Sequence, residues 1–257
     1  MDMLKNSKWF VPYSYSPAAK LNLFCLHHAG GSAAFYSAWP KHLSAMVNVI
    51  AIQLPGRESR YGEPFANNIE QIVSELVKYS AVFAHKPYAL FGHSLGALIG
   101  FSLAKELIRS QDITPQFFIS SAHPAPRRSR LEDKLDGLPD DQFVQKMVDK
   151  YGGISEEVLN SKELLEFLMP RFRADIFLSE AHLSSALNPV PFSIVTLYGK
   201  NDKSVTLPGI QAWQHETQEQ LQIHSFEGNH FFVETEEEKV LGIINKLVAK
   251  HLWALEV

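Results

Sequence analysis

Phe91-Gly92-His93-Ser94-Leu95-Gly96 decides how this chain is read. Gly92-x-Ser94-x-Gly96 fits the nucleophile-elbow pattern, in which a serine sits on a sharp turn between a strand and a helix. Such a turn holds the serine in a strained conformation and lifts its oxygen clear of the sheet. Side chains at the flanking positions would collide there, and glycine has none. Tyr88-Ala89-Leu90-Phe91, after Pro87, is a short apolar run that reads as a buried strand. Ala97 to Arg109 places Leu98, Phe101, Leu103, Ala104, Leu107 and Ile108 on a packed helix. The competing reading is an ordinary glycine-bounded turn with a surface serine. The strand before and the helix after favour the nucleophile.

On the N-terminal side, Lys20 to Leu26 reads as the first core strand, followed by His27-His28-Ala29-Gly30-Gly31-Ser32. Paired glycines after a strand let a backbone N–H face a ligand closely. A hydrolase of this kind places its second oxyanion donor in such a loop, so the N–H groups of Ala29 and Leu95 are the expected pair. A helix is expected near Phe35 to Leu43. Adjacent His27 and His28 do not read as metal ligands, because neighbouring strand residues point to opposite faces and no HxxxH or CxxC partner exists. Val47 to Ile52 is a second buried strand, ending in the charged turn Gln53 to Arg60. Ile69, Ile72, Val73, Leu76 and Val77 line one face of a helix. Gln116 to Ser120 is the strand after the elbow helix. Strands alternating with amphipathic helices predict an α/β fold, with a mostly parallel central sheet flanked by helices.

From about residue 123 to 191 the rhythm breaks, and no convincing strand is found. Pro124 and Pro126 open the segment, and Arg127, Arg128 and Arg130 make it basic. Helical pieces are predicted at Asp140 to Tyr151, Glu156 to Leu159, Lys162 to Met169 and Arg171 to Leu187. Asp140 and Ser155 serve as N-caps, and Pro170 sits at the first turn of the last piece. A helical insertion in a parallel-sheet enzyme is often a lid; the alternative is a set of surface helices without gating. Phe143, Met147, Leu164, Leu165, Phe167, Leu168, Phe172, Ile176 and Phe177 must mostly pack on the main body, with some lining an acyl channel. The α/β rhythm resumes with a strand from Ser193 to Tyr198, then Gly199-Lys200-Asn201-Asp202. A helix around Gly209 to Gln218 leads to a strand from Leu221 to Phe226. Glu227-Gly228-Asn229-His230 and a last helix from about Glu236 to His251 complete the chain.

A serine hydroxyl needs a neighbouring base, and the base needs an orienting acid. The α/β-hydrolase order along the chain is Ser, then Asp or Glu, then His. Ser94, Asp202 and His230 satisfy it, and each follows a predicted strand. All three therefore fall on the C-terminal edge of the sheet, where ligands of open α/β sheets bind. His28 and His123 also lie in post-strand loops, but both precede the acid. His93 belongs to the elbow and should point away from Ser94. Asp175, in the lid helix, is expected to be solvated or paired along its helix. Glu227 stands too near His230 to reach around to it.

The chain has 257 residues and a formal net charge of −4, which argues against nucleic acid as the main partner. A single domain over 1–257 is expected, carrying the insertion about 123–191. Cys25 is the only cysteine, so no internal disulfide can form. The N-terminus lacks the apolar core of a signal peptide, and no stretch has the length and apolarity of a membrane span. A cytoplasmic location is expected.

Leu26-His27-His28-Ala29-Gly30-Gly31-Ser32, Leu54-Pro55-Gly56-Arg57-Glu58-Ser59-Arg60, Gly92-His93-Ser94-Leu95-Gly96 and Gly228-Asn229-His230-Phe231-Phe232 stand in order at fitting intervals. Together they resemble the type II thioesterases that accompany nonribosomal peptide and polyketide synthases. Leu138-Pro139 and Leu168 to Asp175 also resemble that family. His27 departs from it, standing where the family usually has proline. The resemblance implies the α/β-hydrolase fold and removal of aberrant or stalled acyl groups from acyl or peptidyl carrier proteins. The phosphopantetheine arm would belong to that substrate, and no cofactor or metal is implied. Arg57, Arg60, Arg127, Arg128 and Arg130 are candidates for a rim that meets an acidic carrier domain or the pantetheine phosphate, the alternative being solvated surface arginines. Three alternatives stay open: an esterase or lipase of small oxygen esters, an acyltransferase using the same acyl-serine, and a non-catalytic carrier-binding module.

Overall fold

Leu21–Leu26 (β2), Val47–Ile52 (β3) and Tyr88–His93 (β4) are buried at every position, as strands covered by helices on both faces must be. The structure is a computed structural model that describes residues 4, 6–126, 134–182 and 189–256. Phe10–Pro12 (β1), Phe117–Ser121 (β5), Ser193–Gly199 (β6) and Gln222–Phe226 (β7) complete a seven-stranded sheet of order β1-β3-β2-β4-β5-β6-β7. Every pairing is parallel except β1 with β3. Successive residues of a strand feed opposite faces. Accordingly Phe24 and Leu26 join one core cluster with Leu98 and Phe101, while Leu23 and Cys25 join the other with Val240 and Ile244.

The helices that cover the sheet begin with Ile69–Val77 (α1) and Ser80–Ala84 (α2). Asn68 caps α1 by accepting the Gln71 N–H, and Ile69, Ile72, Val73 and Leu76 form its buried face. Leu95–Gln111 (α3) follows the elbow. Between β5 and β6 come Asp140–Lys150 (α4), Glu156–Asn160 (α5) and Lys162–Ala181 (α6). Leu207–Gln211 (α7), Phe232–Thr235 (α8) and Glu237–Glu256 (α9) close the chain. The strand order turns back between β2 and β4, so the loops after these strands flank a crevice at their C-terminal ends.

Several local expectations are corrected. The helix expected near Phe35 to Leu43 is a pair of 3-10 turns, Ala33–Tyr36 and Trp39–Lys41. Pro40 cannot donate in an α-helical ladder there. The two pieces expected on either side of Pro170 are one helix, α6, which runs through the proline. Pro139, not Asp140, precedes α4; Asp140 opens the helix and accepts from Arg173 Nε at 2.9 Å. The helix expected around Gly209 to Gln218 is α7 followed by a 3-10 turn, Ala212–Glu216.

Candidate active site

The elbow is built by exclusion of side chains. A Cβ at Gly92 would lie 2.2 Å from the Gly96 carbonyl oxygen, and one at Gly96 would lie 2.1 Å from that of Leu26. The close approach at Gly96 packs the start of α3 directly on the end of β2. Ser94 between them has φ 54° and ψ −119°, a conformation that L side chains rarely adopt. Its N–H is held by Ser121 O at 2.8 Å, which ties the turn to the end of β5. Leu95 is the first residue of α3, so its N–H has no intrahelical acceptor. His93 points inward, fully buried, with Nδ1 2.9 Å from Ser121 Oγ.

Asp202 and His230 come from the loops after β6 and β7. Those loops are stitched together: Lys200 N–H donates to Phe226 O at 2.9 Å, and Asn201 N–H to Gly228 O at 2.9 Å. At Gly199 a Cβ would lie 2.3 Å from Asn229 O. The result places His230 Nδ1 2.8 Å from Asp202 Oδ2, both residues buried. A carboxylate only accepts, so Nδ1 carries the proton and Nε2 is left as the basic nitrogen. Ser94 and His230 line one cavity of about 190 Å³. Among the described residues Ser94 Oγ makes no hydrogen bond, and catalytic contacts of this kind often tighten only with substrate.

Ser204, which no motif in the sequence marks, joins this pair. Its N–H and hydroxyl both donate to Asp202 Oδ1, at 2.8 and 2.6 Å, and its Oγ lies 2.9 Å from His230 Nδ1. Asp202-x-Ser204 is a local turn in which a side-chain oxygen captures the N–H two residues on. That signal becomes visible only once Asp202 is chosen.

The loop after β2 is anchored from beneath. Gly30 N–H donates to Asp175 Oδ2 at 2.7 Å. Asp175 also takes a bidentate pair from Arg57, Nη1 to Oδ2 at 2.6 Å and Nη2 to Oδ1 at 2.8 Å. Arg57 Nη1 further donates to Gly31 O at 3.1 Å. A carboxylate from α6 and a guanidinium from the turn after β3 thus converge on the glycines beside Ala29. This corrects two expectations. Asp175 is fully buried rather than solvated. Arg57 and Arg60 are buried, not part of a docking rim; Arg60 bonds Gln53 O and Glu63 and lies 4.0 Å over the Trp9 ring. Desolvating a guanidinium requires such partners, and here they are internal. Arg127, Arg128 and Arg130 lie outside the described residues.

Met147, Leu168, Phe172 and Ile176 from α4 and α6 give the cavity an apolar part of its lining. Phe143 instead packs in the core of the insertion, while Leu164, Phe167 and Phe177 are exposed. Among the described residues no group of three or more His, Cys, Asp or Glu side chains converges as a metal site. Among the described residues no helix is long and apolar enough to cross a membrane.

Burial keeps several imidazoles near the site neutral. It lowers His27 to about 4, His28 to about 3 and His123 to about 4, and drives His93 well below its usual range. Unfolded, these rings would take up protons near pH 6.5. Between there and pH 4 the unfolded chain therefore binds more protons than the folded one, and stability falls as pH falls. Denaturant midpoints should drop steadily from pH 7 to pH 4.5. A flat profile over that window would contradict the buried neutral rings.

A thioesterase-domain family model matches residues 21–248. The chain is 31% identical over 248 residues to the linear gramicidin dehydrogenase LgrE of Brevibacillus parabrevis, covering 96% of this chain and 94% of that protein. It is 34% identical over 227 residues to the gramicidin S biosynthesis protein GrsT of Aneurinibacillus migulanus, covering 88% of each. Among solved structures, the type II thioesterase BorB from the borrelidin biosynthetic cluster superposes with a TM-score of 0.83 at 33% identity, covering 95% of this chain and 97% of that one.

Proposed function

Since the chain belongs to the thioesterase family, we propose that it hydrolyses acyl thioesters from the phosphopantetheine arm of carrier proteins serving a nonribosomal peptide or polyketide synthase. Ser94 is the nucleophile, His230 the base and Asp202 its orienting acid. The observation that carries this reading is the buried Asp202–His230 pair, 2.8 Å apart, whose His230 lines a cavity together with a strained Ser94. The names of GrsT and BorB, a biosynthesis protein and a type II thioesterase, support the setting.

In this mechanism Ser94 Oγ attacks the thioester carbonyl carbon while its proton passes to His230 Nε2. Asp202 holds the ring in the Nδ1–H tautomer and stabilises the imidazolium. Ser204 fixes the carboxylate. The N–H groups of Ala29 and Leu95 receive the oxyanion; losing one such donor typically costs about 2.7–4 kcal/mol of transition-state stabilisation. The C–S bond breaks as His230 returns its proton to sulfur. A thiol of pKa about 8.5 leaves easily. Water then attacks the acyl-serine with His230 again as base, releasing a carboxylic acid. The apolar lining from α4 and α6 takes the acyl chain, and no cofactor is needed beyond the substrate's own pantetheine.

The dehydrogenase name of one relative points elsewhere, toward hydride transfer. Here the turn after β2 reads Ala29-Gly30-Gly31-Ser32, without the Gly-x-Gly-x-x-Gly spacing that cradles a dinucleotide. The test compares one acyl group on a carrier protein, on coenzyme A and on an aryl alcohol. Release from the carrier with the highest kcat/KM is expected, together with labelling of Ser94 by a fluorophosphonate. A preference for the aryl ester would make the protein an esterase. Transfer to an added alcohol instead of water would make it an acyltransferase, and absence of labelling would leave only a binding module.

A further inference from the structure

The peptide unit between His28 and Ala29 carries the proposed oxyanion donor on its nitrogen and the His28 carbonyl on its carbon. A trans peptide points these two groups in opposite directions, and the described residues contain no cis bond. Whatever fixes the carbonyl therefore aims the N–H. Two groups do so here. The Gly31 N–H donates to His28 O at 3.1 Å, closing a tight turn. The imidazole of His27 places Nδ1 2.8 Å from the same oxygen.

A carbonyl can only accept, so His27 Nδ1 must carry a proton. The ring's Nε2 is buried with no hydrogen-bond partner, as suits the unprotonated nitrogen of a neutral ring. Burial, with Arg57 as the next contributor, keeps the ring neutral down to a pKa of about 4. The next peptide units of the loop are held separately, by Asp175 at the Gly30 N–H and by Arg57 at the Gly31 carbonyl. Among the described residues, apart from the turn itself, His27 is the side chain that acts on the donor's own peptide.

We propose that His27 is a positioning residue: its Nδ1–H grips the His28 carbonyl and thereby aims the Ala29 N–H into the cavity beside Ser94. The proposal rests on the reading of Ala29 as an oxyanion donor. His27 touches no reacting atom, so its effect falls on transition-state stabilisation and not on substrate affinity. The Gly31 contact remains when His27 is lost, so the donor is misaimed rather than removed.

The test uses the full chain with His27→Leu, His27→Asn and Ala29→Pro, and one acyl thioester as substrate. His27→Leu should lower kcat by about 10- to 100-fold, less than full loss of a donor. KM and the affinity for a thioether ground-state analogue should stay within about twofold. Affinity for a trifluoromethyl ketone, which forms a tetrahedral oxyanion on Ser94, should fall with kcat. The Asn amide can donate from nearly the position of Nδ1, so His27→Asn should recover most of the turnover. Parent-like kcat in His27→Leu, or equal impairment in His27→Asn, overturns the proposal. If Ala29→Pro loses about 10²- to 10³-fold while His27→Leu is silent, only the role of His27 falls. If a folded Ala29→Pro is also silent, the Ala29 reading falls. Imidazole ¹⁵N spectra of the parent protein give a check independent of any variant: the Nδ1–H tautomer is expected, and an Nε2–H tautomer overturns the proposal.

Discussion

Ser94→Ala should lose thioester turnover by about 10⁴- to 10⁶-fold while remaining folded. The reason is local. In the proposed mechanism the hydroxyl is the group the site activates, and the residual rate would come only from the oxyanion donors and substrate binding. Nothing in the backbone depends on that hydroxyl: the Ser94 N–H is held by Ser121 O and its carbonyl by the Ala97 N–H, and both survive in alanine. The strain at φ 54° survives too, because alanine keeps a Cβ. Glycine would not keep it. Ser94→Gly should therefore be more stable than Ser94→Ala by about 1 kcal/mol, though equally inactive, since relief of backbone strain outweighs the extra entropy of the unfolded chain. Equilibrium denaturation of the two variants beside the parent, with kcat on a carrier-bound acyl group, separates the contributions. An alanine variant that turns over at the parent rate would remove Ser94 from the mechanism. A glycine variant less stable than alanine would mean the elbow stores no strain.

What could be read from the sequence follows from the range of the forces concerned. β2, β3 and β4 are unbroken apolar runs, and burial on both faces leaves that signature in any parallel strand. β1 leaves none, being only Phe10–Pro12 on an antiparallel edge, too short to show a period. The elbow is local chemistry, two glycines and a serine within five residues, so it is visible. Asp202 and His230 were legible through order and strand ends. Arg57 and Asp175 are not legible as a pair, because each one's partner lies 118 residues away and nothing in either neighbourhood announces it. An arginine and an aspartate each look like solvated surface until the fold brings them together. Pro170 misleads for a related reason. The local rule ends a helix before proline, but α6 continues through it, held by Met169, Ile176 and Leu178 in the core. Packing within the insertion, with Leu178 on the main body, outweighs one missing backbone bond.

Asp175→Ala should destabilise the fold by about 3–5 kcal/mol, the usual consequence of stranding one partner of a fully buried pair. The side chains of Arg57 and Asp175 are 2% and 0% exposed, so water cannot replace the lost carboxylate. The Gly30 N–H loses its acceptor at the same time. Asp175→Asn should be milder in its effect on Gly30, since an amide oxygen still accepts, but it leaves the guanidinium without a counter-charge. The decisive comparison is Arg57→Met combined with Asp175→Leu. Removing both charges ends the desolvation problem, and apolar replacements of buried pairs are often neutral. What then remains is the unpaired N–H of half-buried Gly30 and the carbonyls of Gly31 and Pro55, at most about 1–3 kcal/mol for each such group. The double variant should accordingly be more stable than Asp175→Ala alone, yet still slow, because the loop beside Ala29 has lost its anchor from α6. Stability and activity would thus part company in one protein. If the double variant regained full turnover with its stability, the pair would hold up the fold without holding the oxyanion loop. If Asp175→Ala cost less than about 1 kcal/mol, neither role would stand.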